Sequence, residues 1–269
     1  MRLDLELVDR GLARSRNHAS ALIEAKRVMV NGRAAKKSSQ PVIENSEIVV
    51  LEAVDYVSRA GHKLAKALDA FGELEIVGKI ALDVGASTGG FTDVLLRRGA
   101  KHVLAIDVGH EQMVPELLDN SKVTSIEGFN ARDLSVAALA QITGWNPTRL
   151  RFEIVVADLS FISLTLVLAQ IAAVAPLADY VLLIKPQFEV GKQSLQASGI
   201  VNDHRLRASA IKQVVDCAHD LGLGVRGLVK SELPGTHGNV EYVLWISPLE
   251  PVNRSKWDTK IEVLAKDSK

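Results

Sequence analysis

The sequence predicts an α/β chain: a doubly wound, mostly parallel sheet with an antiparallel final strand, preceded by a small N-terminal α+β domain. Three observations predict it. Seven short apolar runs recur between residues 79 and 246, with helical patterns between most of them. Several runs are continuous in Val, Ile and Leu, as in strands covered on both faces. The stretch LDVGASTGGFTD (82–93) sets a glycine-rich loop between the first run and a helical pattern, where such sheets hold a ligand.

The elements follow in order. LDLELVDRG (3–11) reads as a helix closed by Gly11. Ser15 caps a second helix through about Lys26, with Ala19, Leu22 and Ile23 on one face. VMVNGRAA (28–35) is a strand entering an Asn31-Gly32 turn, and IVVL (48–51) closes the small sheet. Together with the connector this makes a domain of residues 1–57. The second domain, 58–247, carries strands at KIALDV (79–84), HVLAIDV (102–108), VTSI (123–126), FEIVVADL (152–159), YVLLIK (180–185), GVRGLV (224–229) and VEYVLWI (240–246). The last two have no helix between them and predict an antiparallel pair. Residues 248–269 read as a polar tail with one short helix.

Composition bounds the function. The 269 residues are 47% apolar, enough for one sizeable core and a satellite. The single cysteine excludes an intrachain disulfide and any multi-cysteine metal site, and it suits a reducing, cytoplasmic setting. MRLDLELVDRG carries no signal-peptide pattern. The apolar stretch 161–184 is broken by Gln170, Pro176 and Asp179, so it reads as a helix and a strand, not a membrane span. Net charge is zero, but its distribution is uneven. Arg10, Arg14, Arg16, Lys26, Arg27, Arg33, Lys36 and Lys37 crowd a stretch whose only acid is Glu24. A one-signed patch of that kind points to phosphate.

The glycine loop is neither a G-x-G-x-x-G fingerprint nor a P-loop. Gly85, Gly89 and Gly90 let backbone approach a ligand. Asp83 precedes the loop and could hold an amino group or water. Asp107 ends the next strand, where a carboxylate can accept both hydroxyls of a ribose. Together they suit a nucleoside with an amino-acid tail and no phosphates. LDVGASTGGF followed by AIDVGHEQ resembles the first two motifs of S-adenosylmethionine-dependent methyltransferases. The resemblance implies that cofactor, held by Asp83, Gly85, Ala86, Ser87, Thr88, Gly89, Gly90, Phe91, Asp107 and Val108.

Catalytic groups are expected at later strand ends. Asp158 ends FEIVVAD and Lys185 ends YVLLIK; Lys63 and Glu241 are further candidates. Asp158-Leu159-Ser160-Phe161 lacks the prolines of base-amine methylation, and Cys217 lies in a helical pattern, away from any role as a nucleophile on a pyrimidine carbon. A ribose hydroxyl needs neither device. A lysine can serve it as base, when neutral, or as an orienting group.

Lys63, Asp158, Lys185 and Glu241 match in order the Lys-Asp-Lys-Glu tetrad of FtsJ-like ribose 2′-O-methyltransferases, which share a Rossmann-like class I sheet. RLDLELVDRGLARSRNHASALIEAKRVMVNGR resembles the alpha-L RNA-binding motif, which implies binding of structured RNA by shape and phosphate. The two together, with YVSRAGHKL, ADLSFISL and LLIKPQFE, resemble the TlyA family. That family methylates the 2′-hydroxyl of cytidine in ribosomal RNA (16S and/or 23S) and also carries the name haemolysin. Two alternatives stand beside it. One is a non-catalytic RNA-binding protein on a methyltransferase scaffold. The other is a pore-forming haemolysin, which needs an exposed amphipathic or membrane-spanning segment that the sequence does not display.

Overall fold

The computed structural model describes all residues except 14, 25, 44, 51–55, 147, 149, 150, 192–194, 196, 197, 236, 237 and 267–269. Two compact units divide the chain, Met1–Asp55 and Tyr56–Lys269.

In the first unit, α1 (Leu3–Asp9) and α2 (Arg16–Glu24) pack on strands β1 (Val28–Val30), β2 (Arg33–Ala34) and β3 (Ile48–Val50). The strands form an antiparallel sheet in the order β2-β1-β3. Ser15 Oγ accepts the His18 amide and caps α2. Asn31 and Gly32 both take positive φ, as a two-residue hairpin turn requires. Leu3, Leu7, Ala19, Leu22, Ile23, Val28 and Val30 form this unit's own core.

The second unit is built on seven strands: β4 (Ile80–Val84), β5 (His102–Ile106), β6 (Val123–Ile126), β7 (Ile154–Ala157), β8 (Asp179–Ile184), β9 (Gly224–Lys230) and β10 (Tyr242–Ser247). Their order is β6-β5-β4-β7-β8-β10-β9. The first five are parallel; β10 inserts between β8 and β9, antiparallel to both. This is the sheet the sequence predicts, with one feature it does not reveal, the insertion of the last strand.

Side-chain alternation explains why these runs are apolar throughout. On β7, Val155 and Ala157 face one core while Ile154 and Val156 face the other. The same division runs through β8 and β10. One face is covered by α3 (Arg59–Phe71) and α4 (Gly90–Arg97). The opposite face is covered by α6 (Val136–Thr143), α7 (Leu168–Val174), α9 (His204–Asp220) and α10 (Asp258–Lys266). The short helices α5 (Pro115–Leu118) and α8 (Pro186–Glu189) follow β5 and β8. The 161–184 stretch is α7 followed by β8, and among the described residues no helix is long and apolar enough to cross a membrane.

One expectation is corrected. Residues 248–269 are not simply a polar tail: Trp257, Ile261 and Ala265 of the last segment are buried in the main core. Buried Arg207 of α9 donates to Ala265 O (3.1 and 2.7 Å), Val201 O (3.1 Å) and Asn202 O (2.9 Å). The sparse apolar spacing of 257, 261 and 265 hid this role, because three residues suffice to dock a nine-residue helix.

Candidate active site

The site lies at the carboxyl ends of β4, β5, β7 and β8, where a parallel sheet leaves a crevice. Gly85 and Gly89 take positive φ (86° and 93°), so the chain can turn sharply from β4 into α4. Gly85 is also needed for space: a methyl group there would lie 2.7 Å from Asp158 O on the neighbouring strand end. Gly89 and Gly90 are also needed for packing. A methyl on Gly89 would strike Leu117, and one on Gly90 would strike Ser58 Oγ and lie 3.0 Å from the Gly61 amide. Gly90 has no positive φ but lines the smaller cavity.

Two adjoining cavities open here. The larger, about 550 Å³, is lined by Gly85, Ser87, Asp107, Val108, Gln112, Asn130 and Phe161 among others. The smaller, about 260 Å³, is lined by Ala86, Thr88, Gly90, Phe91, Lys63 and Glu241 among others. Gly85, Ser87, Asp158 and Ser160 line both. Asp83 and Gly89 line neither. The larger volume falls in the range of small-molecule sites.

Asp107 is half-buried and aimed by its own loop. Its Oδ2 accepts the Ser87 amide (2.8 Å) and its Oδ1 the Gly109 amide (2.7 Å). Each carboxylate oxygen keeps a second lone pair for a ligand. Asp83 is fully buried. Its Oδ2 accepts from Thr92 Oγ1 of α4 (2.7 Å), and its Oδ1 has no hydrogen-bond partner. Burial pushes this carboxyl up to about 7, the Thr92 hydrogen bond opposes that, and Asp158 adds to it. An orphaned buried carboxylate oxygen beneath the loop fits a cationic ligand group or a water.

The four catalytic candidates come together as two ion pairs. Lys185 Nζ lies 2.7 Å from Asp158 Oδ1. Lys63 Nζ lies 2.5 Å from Glu241 Oε2, although 178 residues separate them in sequence. Lys185 Nζ also donates to Ser160 Oγ (2.9 Å). Beside it, Phe161 is 91% exposed, takes a positive φ of 65°, and pairs its ring with Phe188 at 5.2 Å. An exposed aromatic in that backbone region is a strained residue held at a site.

Sequence reasoning missed Ser58, Arg59, Gln112, the 129–132 segment, Ser160, Phe161 and Pro234, all of which line the cavities. The positions of Asn130 and Ser160 were legible in outline, since both follow strand ends. Cys217 is half-buried in α9 with its thiol pushed up by burial, so it behaves as a packed residue. Among the described residues no cluster of His, Cys, Asp and Glu could hold a metal ion.

In the first unit, the basic residues divide in two. Arg10 is tied to Glu6 and Ser46 O, and Arg16 to Asp4, so these two brace the fold. Lys26, Arg33, Lys36 and Lys37 are exposed and Arg27 is half-buried. Arg14 lies outside the described residues.

Residues 56–247 match the FtsJ-like methyltransferase family model, and residues 1–48 the S4 domain model. The chain is 45% identical over 248 residues to the 16S/23S rRNA (cytidine-2′-O)-methyltransferase TlyA of Mycobacterium tuberculosis, covering 91% of this chain and 89% of that protein. It is 39% identical to Hemolysin A of Brachyspira hyodysenteriae, covering 90% and 98%. Among solved structures, a hemolysin-named protein from Streptococcus thermophilus superposes with a TM-score of 0.72 at 34% identity, covering 100% of this chain and 95% of that one. An S4 domain, an FtsJ-like domain and this level of identity along nearly the whole length leave one conclusion: the chain belongs to the TlyA family of methyltransferases, enzymes of the FtsJ-like class.

Proposed function

We propose that this protein methylates the 2′-hydroxyl of a cytidine in ribosomal RNA, using S-adenosylmethionine. The observation that carries the reading is the Lys185–Asp158 pair at the seam of the two cavities. The larger cavity takes the nucleoside end of the cofactor, with Asp107 accepting from its ribose hydroxyls. The glycine loop and the orphaned Asp83 oxygen lie toward its amino-acid end, directly or through water. When bound, the cofactor supplies an electrophilic methyl on a sulfonium and leaves as the neutral thioether.

The residues supply position. Lys185 presents an ammonium donor to the ribose oxygen, and Asp158 holds that ammonium in place. The pairing with Asp158 and Ser160 suits Lys185 to an orienting role. The hydroxyl proton is released to water as the O–CH3 bond forms. Lys63 and Glu241 wall the other side of the smaller cavity. Phe161 offers a flat apolar face on which an unpaired base can stack. In the N-terminal unit, Lys26, Arg27, Arg33, Lys36 and Lys37 meet RNA phosphates.

The test is a map of 2′-O-methyl groups in ribosomal RNA from cells with and without the protein, paired with cofactor titration of the purified chain. A cytidine methylated only in its presence is expected. Identical maps would overturn the activity, and no cofactor binding would favour the RNA-binding scaffold instead.

A further inference from the structure

Lys185 must do more than be present. An ammonium carries three N–H bonds, and its tether decides where they point. A charge contact alone is a loose tether, since it sets distance and not direction. Lys185 donates a hydrogen bond to Ser160 Oγ at 2.9 Å, on the same strand-end loop as Asp158, whereas Asp158 Oδ1 at 2.7 Å attracts the ammonium by charge without accepting a hydrogen bond. The hydrogen bond to Ser160 takes one N–H, and together with the charge contact to Asp158 it limits where the other two can point.

The loop that carries both groups is itself held at each end. The Asp158 amide donates to Val84 O (3.1 Å), and Gly85 lets the Asp158 carbonyl come close. At the far end, buried Glu189 accepts from Ser163 Oγ (2.5 Å) and the Leu164 amide (3.0 Å). Glu189 lies on α8, which starts immediately after Lys185. One carboxylate therefore joins the segment bearing Asp158 and Ser160 to the segment bearing Lys185. Between the two anchors Phe161 takes its left-handed φ, directly after Ser160. A surface serine with an incidental bond needs none of this. Ser160 is exposed, lines both cavities, and makes no other side-chain hydrogen bond among the described residues.

We infer that Ser160 is a positioning residue for methyl transfer: its hydroxyl is the directional tether that, beside the charge contact to Asp158, aims the remaining N–H bonds of Lys185 at the acceptor oxygen. The inference rests on the function proposed above and deepens it. It acts on the chemical step, not on the affinity of either ligand.

The experiment compares Ser160→Thr with Ser160→Val, two side chains of nearly the same shape that differ in the hydroxyl. Ser160→Val is expected to lower kcat about tenfold, the scale of one hydrogen bond to a charged group. KM for ribosomal RNA, cofactor affinity and Tm should stay unchanged. Ser160→Thr should restore most of kcat. A readout independent of turnover is the ¹⁵N NMR signal of the Lys185 ammonium in the isotope-labelled protein. Its order should fall in Ser160→Val and recover in Ser160→Thr. Wild-type kcat in Ser160→Val, or an equal loss in both variants, overturns the inference. So does a collapse of cofactor affinity in Ser160→Val, which would assign Ser160 to ligand binding. An unmethylated product with wild-type protein would refute the proposed function instead, and the ammonium signal would still decide the role of Ser160.

Discussion

The two ion pairs of the site have the same chemistry and different surroundings. Lys185–Asp158 stands where the cavities meet, its carboxylate 15% exposed and its ammonium shared with Ser160. Lys63–Glu241 is closed in: Glu241 is 2% exposed, and a methyl group on Gly235 would strike its carboxylate. The open pair has a donor to give to a substrate. The closed pair has little freedom and much to lose if one partner goes, because a buried charge left alone is costly. Four residues that look alike in sequence therefore divide into an open pair where the cavities meet and a more enclosed pair in the wall of the smaller one.

The largest effect should come from breaking the open pair. Lys185→Ala should lower kcat by about 10²–10⁴-fold, the range of one positioned acid–base or orienting group. Lys185→Arg should fail similarly, since a planar guanidinium cannot place a single N–H where the ammonium did. Asp158→Ala should be nearly as damaging. Cofactor affinity and Tm should change little in the lysine variants. Methyl transfer to ribosomal RNA, with melting and cofactor titration alongside, measures it. Near-normal turnover in Lys185→Ala would dissolve the distinction between the pairs.

The closed pair should show the opposite balance. Glu241→Ala leaves the half-buried Lys63 ammonium without its partner, at a cost below the about 3–5 kcal/mol of a fully buried pair. Its turnover at a temperature where it stays folded should fall less than that of Lys185→Ala. Thermal melting against kcat separates the two. A Glu241→Ala protein that melts normally and is inactive would make Glu241 a direct participant.

These distinctions mark what was legible in the sequence. Strands and the glycine loop could be read because their signals are local: apolar runs, and a bare loop between a strand and a helix. Lys185 and Asp158 were readable for the same reason, as charges ending apolar strands. Lys63 and Glu241 were weaker candidates because only the β10 insertion brings them together across 178 residues. The second demand on Gly90 was not legible, because nothing local shows that α3 crosses α4 there. A serine carries no pattern until its neighbour's side chain is known.

The smallest effect concerns Asp83, which lies beneath the open pair and is raised partly by Asp158. Its folded value of about 7 stands above the ordinary 3.8, mainly through burial. Between those values the folded chain keeps a proton that the unfolded chain has released. The stability tied to this group is therefore fully present below about pH 3.8 and lost as pH rises through about 7. Asp83→Asn cannot ionise and still accepts from Thr92, so it should remove that slope and gain a few kcal/mol at most over wild type at pH 8. Cofactor binding should show the complementary trend. A cationic group set against Asp83 favours the carboxylate, so affinity should rise by about tenfold or less from pH 5.5 to pH 8, with proton release. Calorimetry in buffers of different ionisation enthalpy counts that proton. In Asp83→Asn both the pH dependence and the released proton should vanish. A wild-type affinity that is flat across this range would show that the orphaned oxygen meets water instead of the cofactor's cation, and would leave Asp83 as the floor of the glycine loop.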